Sequence, residues 1–280
     1  MYAIAGASGQ LGQLVLAGLI EKVGADKVVA LVRTPAKLAD AAAMGVNVRA
    51  FDYDAVDPAA LAGVKRLLLI SANEVGKRGP QHQAVIDAAK AAGVGLIAYT
   101  SILHAPTSTI GLAEEHRETE AALAVSGVPH ILLRNGWYHE NYTGSLGPSI
   151  EHGAIIGAAG AGRICSASRA DYAAAAVAAL VDGGAGDIHE LAGDEAFTMA
   201  EFAAHVARIA GKPVAYVDMS QADYAAALEG AGLPGWLAAM LANSSVASSQ
   251  GALFDDGHAL SRLIGRSTTP IADAIAAALA

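Results

Sequence analysis

Short apolar runs recur through the first half of the chain, and each is followed by a segment with the apolar spacing of a helix. The six runs are Tyr2–Ala5, Val28–Val32, Val46–Phe51, Leu67–Ile70, Leu96–Tyr99 and Ile131–Leu133. Apolar residues are continuous within them, which is typical of parallel strands that are covered on both faces. The pattern predicts an α/β fold with a doubly wound parallel sheet of the Rossmann type.

After about Arg134 this alternation ends, and residues 144–162 are rich in Gly, Ala and Ser without a clear strand or helix pattern. Thr198 followed by Glu201 predicts a capped helix that runs to about Gly211. The other elements expected here are a buried helix at Tyr172–Val181, a strand at Val214–Val217, and helices around Ala222–Gly230, Leu237–Leu241 and Ile271–Leu279. We therefore predict a Rossmann domain at 1–140 and a smaller, mainly helical lobe at 141–280, which contributes one strand back to the main sheet.

Composition narrows the class of protein. Apolar residues make up 54% of the chain and charged residues 16%, which predicts a soluble globular protein. A formal net charge of -9 argues against nucleic-acid binding, because phosphate contacts need clustered Lys and Arg. Cys165 is the single cysteine, so we expect no internal disulfide and a reducing, cytoplasmic location. We also expect no secretory signal, no membrane span and no metal site, since no ligand-spaced histidines or acids are seen.

A glycine-rich stretch with GxxGxxG spacing lies between the first predicted strand and the first predicted helix. Its residues are Gly6, Ala7, Ser8, Gly9, Gln10, Leu11 and Gly12. Glycines in this place allow a tight turn and a close approach of the backbone, while the free N–H groups at the helix start can bind pyrophosphate. We interpret the stretch as a dinucleotide-binding loop; the alternative is a simple strand-to-helix turn.

Arg33 follows the second predicted strand, where NAD-preferring proteins place an acidic residue for the ribose hydroxyls. A guanidinium suits a 2′-phosphate, and Lys37 could add a second charge. We therefore predict NADPH as the cofactor in preference to NADH, the alternative being that Arg33 is an ordinary solvated charge. Asp52 closes the third strand and could bind the adenine amino group, or it could cap the next turn.

With these features in place, the chain resembles the atypical short-chain dehydrogenase/reductase superfamily in its NmrA-like branch. It is more closely similar to the bacterial type 2 NAD(P)H:quinone oxidoreductases, and less closely to the triphenylmethane reductases. The resemblance runs over nearly the whole chain. Its most specific stretches are Glu74-Val75-Gly76, Pro80-Gln81-His82 and the segment from Leu133 to Tyr142.

In that family the residues after the fourth and sixth strands line the nicotinamide half of the cofactor. The resemblance therefore implies a set of binding residues: Asn73, Glu74, Val75, Trp137, Tyr138, His139, Glu140, Asn141, Tyr142 and, more weakly, Arg169. The residues support part of this, because ligands bind beyond the carboxyl ends of such strands and flat aromatic walls suit a flat acceptor. The alternative is that the aromatic segment is a plug in the hydrophobic core.

The Tyr-x-x-x-Lys pair of most short-chain dehydrogenases is absent from the helix that follows the fifth strand. Without that acid a ketone would lack its proton donor, whereas a quinone accepts hydride to give an anion that is already stabilised. The absence favours a quinone as the small-molecule substrate. His116, where relatives place a lysine, and Tyr138 are the candidate catalytic residues; His116 could instead be a histidine on the helix surface.

Two further functions remain open at this point. The chain could be a redox sensor that binds NADP(H) without catalysis, or a reductase of other conjugated acceptors such as triphenylmethane dyes. An aromatic pocket facing the nicotinamide would favour an enzyme, and an exposed apolar patch would favour a docking protein. We expect a monomer or a homodimer.

Overall fold

The structure is a computed structural model that describes all 280 residues. Seven strands form the main sheet in the order β3-β2-β1-β4-β5-β6-β8, and two more form a small sheet, β7-β9. The strands are β1 Tyr2–Ala5, β2 Val28–Val32, β3 Asn47–Ala50, β4 Arg66–Leu69, β5 Leu96–Ile102, β6 His130–Asn135, β7 Ala154–Gly157, β8 Ile188–Leu191 and β9 Ala215–Asp218. The pairings along β3-β2-β1-β4-β5-β6 are all parallel. This arrangement confirms the predicted doubly wound sheet.

Helices connect the strands and make up most of the second half of the chain. They are α1 Gln10–Val23, α2 Ala39–Ala43, α3 Arg78–Ala91, α4 Ala113–Ser126, α5 Glu140–Thr143, α6 Leu146–His152, α7 Arg169–Asp182, α8 Met199–Ala210, α9 Gln221–Gly230, α10 Gly235–Ser249, α11 Ala259–Ile264 and α12 Ile271–Leu279. None combines the length and the apolar character needed to cross a bilayer.

Both faces of the main sheet are covered. Alternate strand residues, among them Ala3, Leu31 and Leu69, share one core cluster with Val85 and Ile86 of α3. The residues between them point to the opposite face, where α1 and α7 pack against each other. Ile4 and Leu68 on that face are also fully buried. Double coverage explains why the strands are apolar without alternation.

The chain forms two compact units. The first comprises Met1–Ala105, Glu114–Asn135 and Arg169–His189, and the second comprises Pro106–Ala113, Gly136–Ser168 and Glu190–Ala280. Apart from the end of β8, the main sheet belongs to the first unit, while the second unit holds the β7-β9 sheet and most of the later helices. The boundary at residue 140, drawn from the sequence, stays a prediction.

Two details of the second unit differ from the sequence interpretation. The segment without an expected pattern contains α6 and β7, with Gly153 at φ 69° ending the helix in the left-handed conformation that glycine favours. The helix expected at Leu237–Leu241 continues to Ser249. Its serines hydrogen-bond backbone carbonyls one turn earlier, such as Ser248 Oγ to the Ser244 oxygen at 2.8 Å, which satisfies their hydroxyl groups inside the helix.

Candidate functional site

The glycine loop makes a tight turn at the carboxyl end of β1. Gly6 has φ 78°, and the N–H groups of Gly6 and Ala7 both donate to the Leu31 oxygen, at 3.2 and 3.3 Å. A Cβ atom at Gly12 would lie 2.2 Å from the Gly6 oxygen and 2.8 Å from the Ala7 Cα. Only glycine therefore fits at Gly12, because both obstacles belong to the backbone.

This turn fits the pyrophosphate of a dinucleotide. The first hydrogen bond of α1 runs from the Gln13 N–H to the Gly9 oxygen at 2.9 Å, so the amides that precede it have no acceptor within the helix. Gly9 and Gln10 are exposed. The Gly9 N–H already donates to the Gly6 oxygen at 3.0 Å, which leaves the N–H groups of Gln10, Leu11 and Gly12 unpaired. Unpaired N–H groups and the positive end of the helix dipole attract an anion at this position. The β1-β4 junction is also where the strand order reverses, which is where α/β sheets bind ligands.

Arg33 lies directly after β2 with its side chain 71% exposed. Its Nη1 is 3.9 Å from Glu74 Oε1, and the other oxygen of Glu74 accepts a hydrogen bond from Lys77 Nζ at 2.9 Å. Lys37 is exposed in the turn that follows Arg33. Most of the guanidinium is therefore free to meet a phosphate, and Glu74 is already neutralised by Lys77.

Asp52 is half-buried at the end of β3, where its Oδ1 accepts a hydrogen bond from the Asp54 N–H at 3.1 Å. The capping alternative raised from the sequence is thus present in the structure. A role for Asp52 toward adenine stays a prediction, since one carboxylate can make both contacts.

Asn73, Glu74 and Val75 lie in the loop from Ile70 to Lys77 that joins β4 to α3, which we call the β4–α3 loop. Asn73 and Val75 are exposed, and Glu74 is half-exposed. The loop lies beside the glycine turn, because a Cβ at Gly6 would lie 3.6 Å from Ile70 Cβ. The structure therefore brings three of the predicted regions together in the first unit: the glycine loop, Arg33 and the β4–α3 loop.

His116 is buried within the first unit, only 6% exposed, rather than on the surface of α4. Its Nδ1 lies 2.7 Å from the hydroxyl of Tyr99, and its Nε2 forms no hydrogen bond with the protein. Burial, together with the nearby positive charge of Arg78, lowers the pKa of His116 to about 3. Burial also raises the pKa of the Tyr99 phenol well above its ordinary value. Both groups are therefore neutral at physiological pH.

The residues after β6 belong to the second unit. Trp137 accepts a backbone hydrogen bond from Ala167 at 3.1 Å, and the N–H of His139 donates to the Ala167 oxygen at 2.9 Å. The ring nitrogens of His139 lie 2.8 Å from Ser166 Oγ and from the Thr269 oxygen, so both are occupied. His139 thus anchors the segment within its own unit.

Tyr142 packs its ring against Phe197 and Phe202, with centroids 6.1 and 5.6 Å apart, and burial raises the pKa of its phenol. This contact has the character of the core plug considered above. Trp137, Tyr138 and Glu140 are half-buried, and Asn141 is exposed. Arg169 is half-buried and begins α7 in the first unit.

Sequence reasoning missed a set of buried and half-buried polar side chains behind the β4–α3 loop: Tyr53, Arg78, His82, Tyr99, Thr100, Glu115 and Thr119. The Pro80-Gln81-His82 stretch carried part of the family resemblance, but its pattern alone indicated no role. No group of three or more His, Cys, Asp or Glu side chains is arranged to hold a metal ion.

This chain is similar to known proteins that bind NAD(P)H. The NAD(P)H-binding family model matches residues 6–183. Quinone oxidoreductase 2 of Escherichia coli is 55% identical over 278 residues, which cover 98% of this chain and 97% of that protein. The crystal structure of the E. coli NADPH-dependent quinone oxidoreductase complexed with NADPH superposes over 100% of both chains with a TM-score of 0.97 and 54% identity. Citrobacter sp. triphenylmethane reductase complexed with NADP(H) covers 99% of this chain and 100% of its own, with a TM-score of 0.93 and 35% identity.

Proposed function

Because this chain belongs to the NAD(P)H-binding family, we propose that it reduces quinones with NADPH, by direct transfer of hydride from the nicotinamide. The observation that carries the proposal is the glycine turn with Arg33 beside it, in a chain that matches a quinone oxidoreductase over its full length. The family resemblance drawn from the motifs is confirmed. When bound, NADPH supplies the hydride for the reaction.

The first unit offers the groups that hold the phosphates of this cofactor. The free amides at the start of α1 fit the pyrophosphate, and the exposed guanidinium of Arg33 fits the 2′-phosphate. Lys37 adds a point charge on the same side. For the nicotinamide half we propose Asn73–Val75 and Trp137–Tyr142, with Arg169 as a weaker candidate and Asp52 at the adenine.

We assign His116 the role of a neutral hydrogen-bond donor. With the protonated Tyr99 hydroxyl donating to Nδ1, the single imidazole proton resides on Nε2, the nitrogen that the protein leaves unpaired. Because its pKa is about 3, His116 cannot deliver a proton as an imidazolium near neutral pH. A reduced quinone needs no stronger acid, since its anion takes a proton from water or from a weak donor such as Tyr138.

The acceptor and the cofactor are tested in one assay. Purified protein is mixed with NADPH or NADH, with and without a simple benzoquinone, and the nicotinamide absorbance is followed after subtraction of the uncatalysed rate. Quinone-dependent oxidation that is faster with NADPH supports the proposal. Tight NADPH binding without oxidation by any quinone overturns it in favour of a sensor. A triphenylmethane dye, run as a second acceptor, tests the reaction named for the Citrobacter relative.

Two variants separate chemistry from positioning. We expect Tyr138→Phe and His116→Ala to lower turnover if these side chains donate hydrogen bonds to the reacting oxygen. If both variants turn over like the parent protein, neither side chain acts in the reaction, and positioning alone accounts for the rate.

We further propose that the protein is a cytoplasmic monomer or homodimer and that its two domains meet in the chain at residue 140. Light scattering measures the number of copies, and limited proteolysis locates the domain boundary.

A further inference from the structure

The β4–α3 loop is held in place by side chains from several other elements. The Tyr53 hydroxyl donates to the Ile70 oxygen at 2.9 Å, and the Ser71 N–H donates to Thr100 Oγ1 at 2.9 Å. A loop has no ladder or helix to pair all of its backbone groups, and here side chains bind several of those that turns within the loop leave unpaired. The two bonds fix the beginning of the loop where it leaves β4.

His82 fixes the next residue of the loop. It is fully buried, and its Nε2 accepts a hydrogen bond from the Ala72 N–H at 2.9 Å. Nδ1 must then carry the proton, which it donates to Thr119 Oγ1 at 2.8 Å, and the Thr119 hydroxyl donates to the backbone oxygen of Glu115 at 2.9 Å. A continuous line of hydrogen bonds thus joins the loop to α4.

Glu115 completes the connection at the far end of the loop. Its Oε1 accepts from the Gly76 N–H at 2.7 Å, at a glycine whose φ is 88°. Arg78 Nε donates to the Ala72 oxygen at 2.6 Å and lies 3.9 Å from Glu115 Oε2. Arg78 and Glu115, which are 11% and 16% exposed, therefore each hold one residue of the loop, and their opposite charges attract one another.

We propose that His82 and Glu115 are positioning residues that hold the β4–α3 loop, and with it Asn73–Val75, in the geometry that receives the nicotinamide half of the cofactor. The inference rests on the proposed function. It also gives a role to His82, the fully buried residue of the Pro80-Gln81-His82 stretch. A rigid loop lets the protein bind the reacting ring without ordering the backbone at each turnover.

The first test uses the cofactor-free protein, so it does not depend on catalysis. Amide hydrogen exchange is followed at Ala72 and Gly76 in His82→Phe, which removes both ring nitrogens, and in Glu115→Ala. We expect exchange to accelerate by about tenfold or more in both variants. His82→Gln, whose amide oxygen can accept from Ala72, and Glu115→Gln, which retains an acceptor for Gly76, should restore most of the protection.

The second test separates positioning from stability. Val85→Ala is the matched control, because Val85 is fully buried on the same helix but makes none of these hydrogen bonds. We expect His82→Phe and Glu115→Ala to lower kcat about 10- to 100-fold while the KM for NADPH changes less than about threefold, because the phosphate contacts are untouched. Val85→Ala should lower thermal stability and leave kcat and loop exchange unchanged.

Each outcome is decisive. Unchanged exchange at Ala72 and Gly76, or the same loss of kcat in Val85→Ala, overturns the positioning role. If His82→Phe fails to fold, Glu115→Ala on the more exposed side of the loop provides the same two readouts. A parent protein that oxidises no NADPH with quinones refutes the proposed function, whereas the exchange result still decides whether His82 and Glu115 hold the loop.

Discussion

Replacement of Arg33 by alanine tests the cofactor preference directly. The guanidinium lies at the end of β2, 71% exposed, and its nearest charge is Glu74 Oε1 at 3.9 Å. An exposed pair at this distance contributes less than about 1 kcal/mol to stability. The free energy of unfolding should therefore stay nearly constant, and the effect of the substitution should fall on ligand binding.

The expected loss follows from the chemistry of the 2′-phosphate. Hydrogen bonds to a charged group contribute about 1.5–3 kcal/mol, which corresponds to a rise of about 10- to 150-fold in the dissociation constant for NADPH. NADH has no 2′-phosphate, so its dissociation constant should not change. Glu74 does not become an unpaired repulsive charge in the variant, because Lys77 Nζ stays 2.9 Å from its second oxygen.

Calorimetric titration of NADPH and NADH into both proteins measures these constants. Arg33→Lys keeps the charge but loses the planar fork, and should fall between the parent and Arg33→Ala. Lys37→Ala should weaken NADPH binding by about threefold, as a more distant exposed charge. An unchanged dissociation constant for NADPH in Arg33→Ala would mean that the 2′-phosphate binds elsewhere, and the assignment would be refuted.

Three further results are expected. Gly12→Ala should weaken NADPH binding at least tenfold and lower stability by about 1–3 kcal/mol, because the new methyl group would lie 2.2 Å from the Gly6 oxygen. Gly147→Ala is the control: no atom lies within 4 Å of its new methyl group, so this variant should bind NADPH normally in the same titration. Acidification from about pH 7.5 to about pH 5.5 should lower the free energy of unfolding, measured by urea titration, by about 2–3 kcal/mol. In the folded protein His82 and His116 have pKa values of about 4 and about 3 and stay neutral, whereas in the unfolded chain they bind protons below their ordinary pKa of 6.5. Equal stability at both pH values would contradict the argument that burial keeps them neutral. Arg134→Met should lower the free energy of unfolding by about 3–5 kcal/mol, because the Glu120 carboxylate is only 12% exposed and loses the cation that lies 2.7 Å from it. The double variant with Glu120→Leu should recover much of this loss in the same urea titrations.

The sequence was sufficient for the strands of the first unit because burial on both faces leaves a strong local signal. β1 and β2 begin and end at the predicted residues, and the other four strands differ by at most three residues at an end. The signal for the capped helix α8 was equally local, since the side chains of Thr198 and Glu201 each accept a hydrogen bond from the other residue's backbone N–H within a single turn. Where α6 and β7 lie, small residues give no periodic contrast, so the pattern carried no signal.

The buried polar set could not be predicted in the same way, because its members are far apart in sequence. Tyr53, His82, Tyr99 and His116 come from four different segments, and their rings form a continuous series with centroid separations of 6.4, 5.4 and 5.8 Å. Only the folded sheet brings these segments together. His116 shows what local sequence cannot predict. The acids beside it in sequence suggested a solvated helix face, whereas tertiary packing buries it against Tyr99.

Exposed cations and buried neutral imidazoles occupy different parts of the first unit, and this arrangement suits the proposed transfer of hydride to a quinone. Arg33, Lys37 and Lys77 are exposed around the glycine turn, where the cofactor's phosphates need cations. The imidazoles behind the β4–α3 loop are held neutral by burial and by the charge of Arg78. In the proposed reaction, loss of hydride leaves a cationic nicotinamide, and neutral imidazoles in this unit add no positive charge that would repel it. A site built this way gives up a strong general acid, and a quinone is an acceptor that tolerates that loss, because its reduced anion is already stabilised.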